Sequence, residues 1–265
     1  VRDEGTSTHR VPALRRRELL GLPAALAGAA AVVGCASAAG TRAVTSAAPA
    51  ATPTAASPAG SPTAAMEQEV PVTPPEDLMR EHGVLKRVLL IYREGIRRIE
   101  AGEPVPARAL HAGAHIIRTF IEDYHERLEE RYVFPPLVKA GKLTDTVTVL
   151  IRQHQRGRLL TARILNATGT PATATPGAQA RRDLAADMAA FIRMYEPHEA
   201  REDTVVFPAL RQVVPPQRFT EMAEIFEDEE HRRFGAAGFT GVVGQVADIE
   251  KTLGIYDLAQ FTPRG

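Results

Sequence analysis

Apolar residues recur at alternating steps of four and three through two long stretches of this chain. Leu78, His82, Leu85, Leu89, Tyr92, Ile96 and Ile99 form the first such series, and Leu184, Met188, Phe191, Tyr195, His198, Glu202 and Val205 form the second. This spacing draws one stripe along one face of an α-helix, the face that turns to a core. His82, His198 and Glu202 lie on these stripes, where only apolar side chains would be ordinary.

Punctuation between the stripes gives the remaining elements. Thr73-Pro74-Pro75-Glu76 reads as a helix start, with a capping Thr, Pro in the first turn and Glu three residues after the cap. Ala101-Gly102, Pro104 and Pro106 mark a turn. A second helix is predicted from about Ala107 to Pro135-Pro136, which end or kink it, with Ile117, Ile121, His125, Leu128 and Tyr132 inward and Glu129 beside them. A third begins near Thr144 or Asp145, turns Val147, Leu150, His154, Thr161 and Leu165 inward, and fades over 166–169. Residues 166–177 read as a loop. Pro197 is expected to kink the fourth helix. Whether that helix begins late or overhangs the third is left open by the spacing. Pro215-Pro216 open a fifth helix, and Val242 to Leu253 form a short further one. The fold class is therefore all-α: an up-down four-helix bundle over residues 73–213, with extra C-terminal helices over 214–265.

The bundle is a duplicated helical hairpin. Residues 125–135 read H-E-R-L-E-E-R-Y-V-F-P and residues 198–208 read H-E-A-R-E-D-T-V-V-F-P, an offset of 73. His125/His198, Glu126/Glu199, Glu129/Glu202, Val133/Val206, Phe134/Phe207 and Pro135/Pro208 are identical, and Glu130 pairs with Asp203. His82 and His154 stand 72 apart, so each hairpin offers one His from its first helix and His-x-x-x-Glu from its second. Four residues make about one helical turn, which stacks the imidazole and carboxylate on one face. Helix bundles build di-metal carboxylate sites in this way. Inward carboxylates without partners cost several kcal/mol, a cost that a metal removes. Histidine with carboxylate suits iron, manganese or zinc. The two related sets, His82, His125 and Glu129 with His154, His198 and Glu202, imply two metals bridged by Glu129 and Glu202. The competing reading is a metal-free structural bundle whose His and Glu pair with one another.

Composition changes the picture at the N-terminus. Arg15-Arg16-Arg17-Glu18-Leu19-Leu20 precedes a short apolar run, Leu22 to Gly34, too short to span a membrane. Its order is similar to a twin-arginine export signal, and Val32-Val33-Gly34-Cys35 resembles a lipoprotein-processing box. Cys35 is the only cysteine, which excludes a disulfide within the chain. The expectation is an export signal over 1–35, a lipid anchor at Cys35 as the only membrane contact, and residence in the cell envelope. Cleavage after Ala36-Ser37-Ala38 would instead release a secreted or periplasmic protein. Residues 36–72, rich in Ala, Thr, Pro and Ser, read as a disordered tether. Six Arg but only three acidic residues fall before residue 66, so the remainder is slightly acidic and gives no case for nucleic acid.

His82, the two H-E-x-x-E-x-x-x-V-F-P segments, His154 and the Glu229-Glu230-His231 region together resemble the hemerythrin-like HHE cation-binding domains, over roughly residues 76–235. The resemblance implies two non-haem iron ions that handle dioxygen, nitric oxide or peroxide, with His82 and His125 on one, His154 and His198 on the other, and Glu129 and Glu202 bridging. It also implies a departure: oxygen-carrying members have another His one turn after the third-helix ligand, and Arg158 stands there. The additional position falls to solvent, Glu126 or Glu199, and favours reactivity over plain carriage. A peroxide-decomposing or iron-oxidising enzyme is the alternative. Tyr124 and Tyr195 flank the ligands. His111 and His115 lie about 21 and 15 Å along the helix from His125, outside this site. His231 is expected to support or cap the site from the fifth helix.

Overall fold

The first described helix is capped at Thr73, where the Glu76 carboxylate accepts hydrogen bonds from the Thr73 backbone N–H and hydroxyl, each at 2.9 Å. The computed structural model describes residues 72–169, 177–263 and 265, so the expected export signal, Cys35 and nearly all of the expected tether lie outside the described residues. Six helices follow: α1 (Pro74–Glu100), α2 (107–139), α3 (Thr144–Thr168), α4 (178–213), α5 (Pro216–Phe234) and α6 (Gly238–Leu253). Among the described residues there is no strand, and no helix is long and apolar enough to cross a membrane.

The first four helices close a ring in which α1 touches α2 and α4, and α3 touches the same two. Leu78, Leu85, Val88, Tyr92, Leu110, Ile117, Phe120, Leu150, Leu160, Met188 and Phe191 fill its interior. Glycine permits one close approach: a Cβ at Gly157 of α3 would overlap the Tyr195 hydroxyl of α4, so its absence lets Tyr195 cross the bundle. The C-terminal helices close one side. Arg87 of α1 grips Glu250 of α6 at 2.5 Å, Arg98 donates to the Leu253 carbonyl at 2.8 Å, and Phe234 of α5 packs edge-on against Phe120 and Tyr124 of α2.

The structure decides two points the spacing left open and changes one expectation. Pro135 and Pro136 do not end α2, which continues to Lys139. The fourth helix overhangs: it starts at Ala178, twenty residues before His198, whereas α3 ends fourteen residues after His154. Residues 178–183 are accordingly mostly exposed. The stripes also slip by one residue at the same point of each repeat, where Tyr132 and Val205 are only half-buried while Val133 and Val206 are fully buried.

The slip has a local cause. Glu129–Val133 and Glu202–Val206 are both π-helical, and the N–H of Phe134 or Phe207 reaches back five residues to the carbonyl of Glu129 or Glu202. The following Pro135 or Pro208 has no N–H to continue the normal ladder. A wide turn inserts one residue and rotates the inward face, a device frequent at functional sites. A longer π stretch, Ile117–His125, precedes the first site segment of α2. α4 passes through Pro197 as one continuous helix, Ala178–Arg201.

Candidate metal centre

His82, His125, Glu129, His154, His198 and Glu202 converge at one level of the bundle, all buried. The His82 and His125 rings lie 4.7 Å apart, and those of His154 and His198 5.0 Å apart. Two overlapping groups form, in each of which one ligand-type atom per residue lies within 4.8 Å of the others: Glu129, His154, His198 and Glu202, and His82, His125 and Glu129. Glu129 belongs to both. Glu202 also reaches the second group, with its Oε2 3.4 Å from His82 Nε2.

Each imidazole is oriented from behind through Nδ1. His82 meets Asp203 at 2.7 Å, His125 meets Glu81 at 2.8 Å, His154 meets Glu130 at 3.1 Å and His198 meets the amide oxygen of Gln153 at 2.9 Å. The pattern follows the duplication. The residue before each first-helix His holds the second-helix His of its own hairpin. The residue after each inward Glu holds the first-helix His of the other hairpin. All four partners are acceptors, so each Nδ1 donates its proton outward and each Nε2 is turned to the centre, where a cation would take its lone pair. Two of these nitrogens, on His154 and His198, face one another at 3.2 Å. Without a cation one of the two must donate a proton to the other; a cation between them would take both lone pairs.

The carboxylates show the same need. Among the described residues, none of the four oxygens of Glu129 and Glu202 has a hydrogen-bond partner, although all are buried. Nε2 atoms of His125, His154 and His198 stand 3.2 to 3.6 Å from them. On protein groups alone, burial and the neighbouring Glu202 push the Glu129 carboxyl well above the usual carboxylate range. Burial acts the same way on Glu202, but His198 and His82 outweigh it and hold that group low. Four imidazole nitrogens and two carboxylates, oriented and facing inward, are the donor set a hard-to-borderline divalent cation takes.

A family model, the hemerythrin HHE cation binding domain, matches residues 73–210. The chain belongs to the hemerythrin HHE family. Its relatives include uncharacterized proteins of Mycobacterium bovis and Mycobacterium tuberculosis, each 70% identical over 197 residues that cover 74% of this chain and 76% of theirs. No solved structure matches it. The HHE match stops short of α5, whereas the sequence resemblance extended to about residue 235. His231, expected to support or cap the site, is half-buried with its Nδ1 3.3 Å from the Glu227 carbonyl of its own helix, and it is not among the grouped ligand-type residues. Its neighbour Glu230 is the inward residue, grouped with Asp77 and Glu81 and accepting the Phe239 N–H at 3.0 Å.

Arg158, in the place of an additional HHE histidine, binds Glu126 at 2.7 Å and Glu130 at 2.8 Å. Tyr195 donates to the other Glu126 oxygen at 2.6 Å. The repeat mate of this arrangement is Lys86, one turn after His82, on Glu199 at 2.5 Å. Glu126 and Glu199 are thus each answered by a cation of the opposite hairpin and belong to the wall of the centre. Tyr124 is fully buried against Phe120 and Phe234, with Glu81 near its hydroxyl. His111 bonds Thr168 at 3.1 Å and His115 is exposed; both line a surface cleft of about 680 Å³ between α2, α3 and α6, apart from the centre.

Glu122, one turn before Glu126, is buried and paired with Arg118 at 2.7 Å. Burial pushes its carboxyl up to about 7 from 4.5, against the pull of Thr161 and with help from Glu126. A carboxyl raised on folding holds its proton longer folded than unfolded, so stability falls as pH rises from the unfolded value through the folded one. Glu122→Gln removes that loss. Thermal unfolding should show the variant about 2–3 kcal/mol more stable than wild type at pH 8, converging with it below about pH 4.5. A difference that is constant across this range would refute the assignment.

Proposed function

We propose that this HHE protein is a non-haem di-iron protein that binds or reacts with dioxygen, nitric oxide or peroxide. The observation that supports it best is the convergence of four imidazole Nε2 atoms with four buried carboxylate oxygens that lack hydrogen-bond partners among the described residues. A pair of ions between them would use every donor: His82 and His125 on one side, His154 and His198 on the other, Glu129 and Glu202 shared. Such a pair, when bound, supplies redox-active Lewis-acid positions for a small ligand. The protein supplies the rest. Asp203, Glu81, Glu130 and Gln153 fix the imidazoles, and Phe134 and Phe207 stack on His154 and His82 to shield the interior from water.

Expression with ample iron followed by elemental analysis tests the reading. About two irons per chain are expected for two ligand sets of this kind, with an absorption change when air reaches the reduced protein. Well under one metal per chain, or a His125→Ala variant that keeps full iron, would contradict it. Catalytic consumption of peroxide by the iron-loaded protein would mark an enzyme; its absence, with the absorption change retained, would mark a binding protein.

A further inference from the structure

His111 and His115 take no part in the central cluster, but they stand as a pair. Both lie on the regular α-helical stretch of α2, Ala107–Ile116, four residues and thus about one turn apart on one face. Both line the cleft of about 680 Å³ between α2, the end of α3 and α6. His111 is fixed there from behind: the Thr168 hydroxyl donates to the Ile164 carbonyl at 2.7 Å, so it acts as acceptor for the His111 Nδ1, 3.1 Å away. Nδ1 then carries a proton, and Nε2 of the neutral ring keeps its lone pair. His115 is exposed, and Asp248 of α6 lines the same cleft with an exposed carboxylate that meets Lys251 at 3.1 Å.

We propose that His111 and His115 hold a further metal ion, a zinc or similar borderline transition-metal cation, apart from the central cluster. Two His one turn apart on a helix is the spacing that zinc-binding helices use. Imidazole pairs suit zinc, copper or nickel, whereas calcium and magnesium require several oxygen donors, and Arg108 on the same wall opposes a cation held by charge alone. A ligating imidazole commonly donates its other N–H to an oxygen acceptor, the part Thr168 plays for His111. Water and a turn of the Asp248 side chain toward the pair complete the shell. His115 stands about 15 Å along α2 from His125, so this site fills independently of the centre.

The test is calorimetric titration of the iron-loaded protein with zinc(II), with iron measured beforehand. Wild type should show a step of about one zinc per chain that His115→Ala lacks, with equal iron in both. Zinc that enters the centre appears in both proteins and cancels from the comparison, so the iron content judges the di-iron reading and the zinc difference judges this one. His115 is exposed, so its removal should leave the melting temperature of the zinc-free protein unchanged. Thr168→Val, close in shape, removes the acceptor and should weaken the same step by roughly tenfold, the low end for such outer partners. Thermal unfolding checks that this variant folds, and His115→Ala decides alone if it does not. Equal zinc binding by wild type and His115→Ala, or an undiminished step in folded Thr168→Val, overturns the inference.

Discussion

Glu129→Gln should empty the centre of iron and at the same time stabilise the metal-free fold. Both effects follow from one fact: Glu129 is a buried carboxylate beside a second one, with no hydrogen-bond partner among the described residues. On the proposed di-iron reading it is a shared donor whose loss would weaken both positions, so iron after iron-replete expression should drop from about two per chain to under one. Without metal, the same carboxyl must either stay charged in the interior or hold a proton that an unfolded chain would release. At pH 7 the second route is the cheaper, and it costs at most about 4 kcal/mol, since an ordinary carboxyl titrates near 4.3. Glutamine avoids that cost. Chelator-treated Glu129→Gln should therefore melt several degrees above chelator-treated wild type at pH 7 and lose the advantage near pH 4, where the unfolded chain is protonated too. Proton displacement has a counterpart in the wild type: apparent metal affinity should climb with pH, by up to about tenfold per unit for each proton expelled. A variant that lost iron without gaining metal-free stability would mean that Glu129 is not under the strain described.

The helices and the six converging residues were legible because the duplication repeats both their type and their spacing. His82 and His154, 72 apart, and the two His-x-x-x-Glu segments, 73 apart, already place six polar groups on apolar stripes. The residues that orient them carry the same signal. Glu81 and Gln153, like Lys86 and Arg158, are 72 apart, and Glu130 with Asp203 lies inside the repeat itself. What spacing could not reveal is that Glu130 serves the opposite hairpin, because that depends on which helices face one another across the bundle. The wide turns were hidden for a different reason. A four-three stripe runs on through Tyr132 and Val205, and only the backbone, denied a donor at Pro135 and Pro208, moves Val133 and Val206 inward instead. The overhang of α4 and the place of His231 outside the cluster likewise depend on packing that no periodicity encodes.

Arg158 and Lys86 occupy matching places in the two hairpins, yet their removal should have very different consequences. Arg158 is mostly buried and bridges two carboxylates, Glu126 and Glu130, while Lys86 keeps about half of its side chain (54%) exposed and, among the described residues, pairs with Glu199 alone. Removing one partner of a buried ion pair strands the other. Arg158→Met leaves Glu126 with the Tyr195 hydroxyl and Glu130 with His154 and the more exposed Arg127. The expected loss is about 3 kcal/mol, near the lower end for buried pairs because water reaches part of Arg158, or roughly 6–12 °C in melting temperature. Lys86→Met strands Glu199 less severely, since burial already raises that carboxyl and lets it take a proton. With an exposed cation as partner the change should stay within about 1 kcal/mol. Burial also acts to raise Glu130, but its hydrogen bonds from His154 and Arg158 prevail and hold it at about 2. Arg158→Met should therefore bring a titration of Glu130 upward into the measurable range. Adding Glu126→Gln to Arg158→Met removes the stranded charge and should recover much of the lost stability. Equal destabilisation by the two single variants, or no recovery in the double one, would show that the paired cations do not hold the wall of the centre together in the way their burial implies.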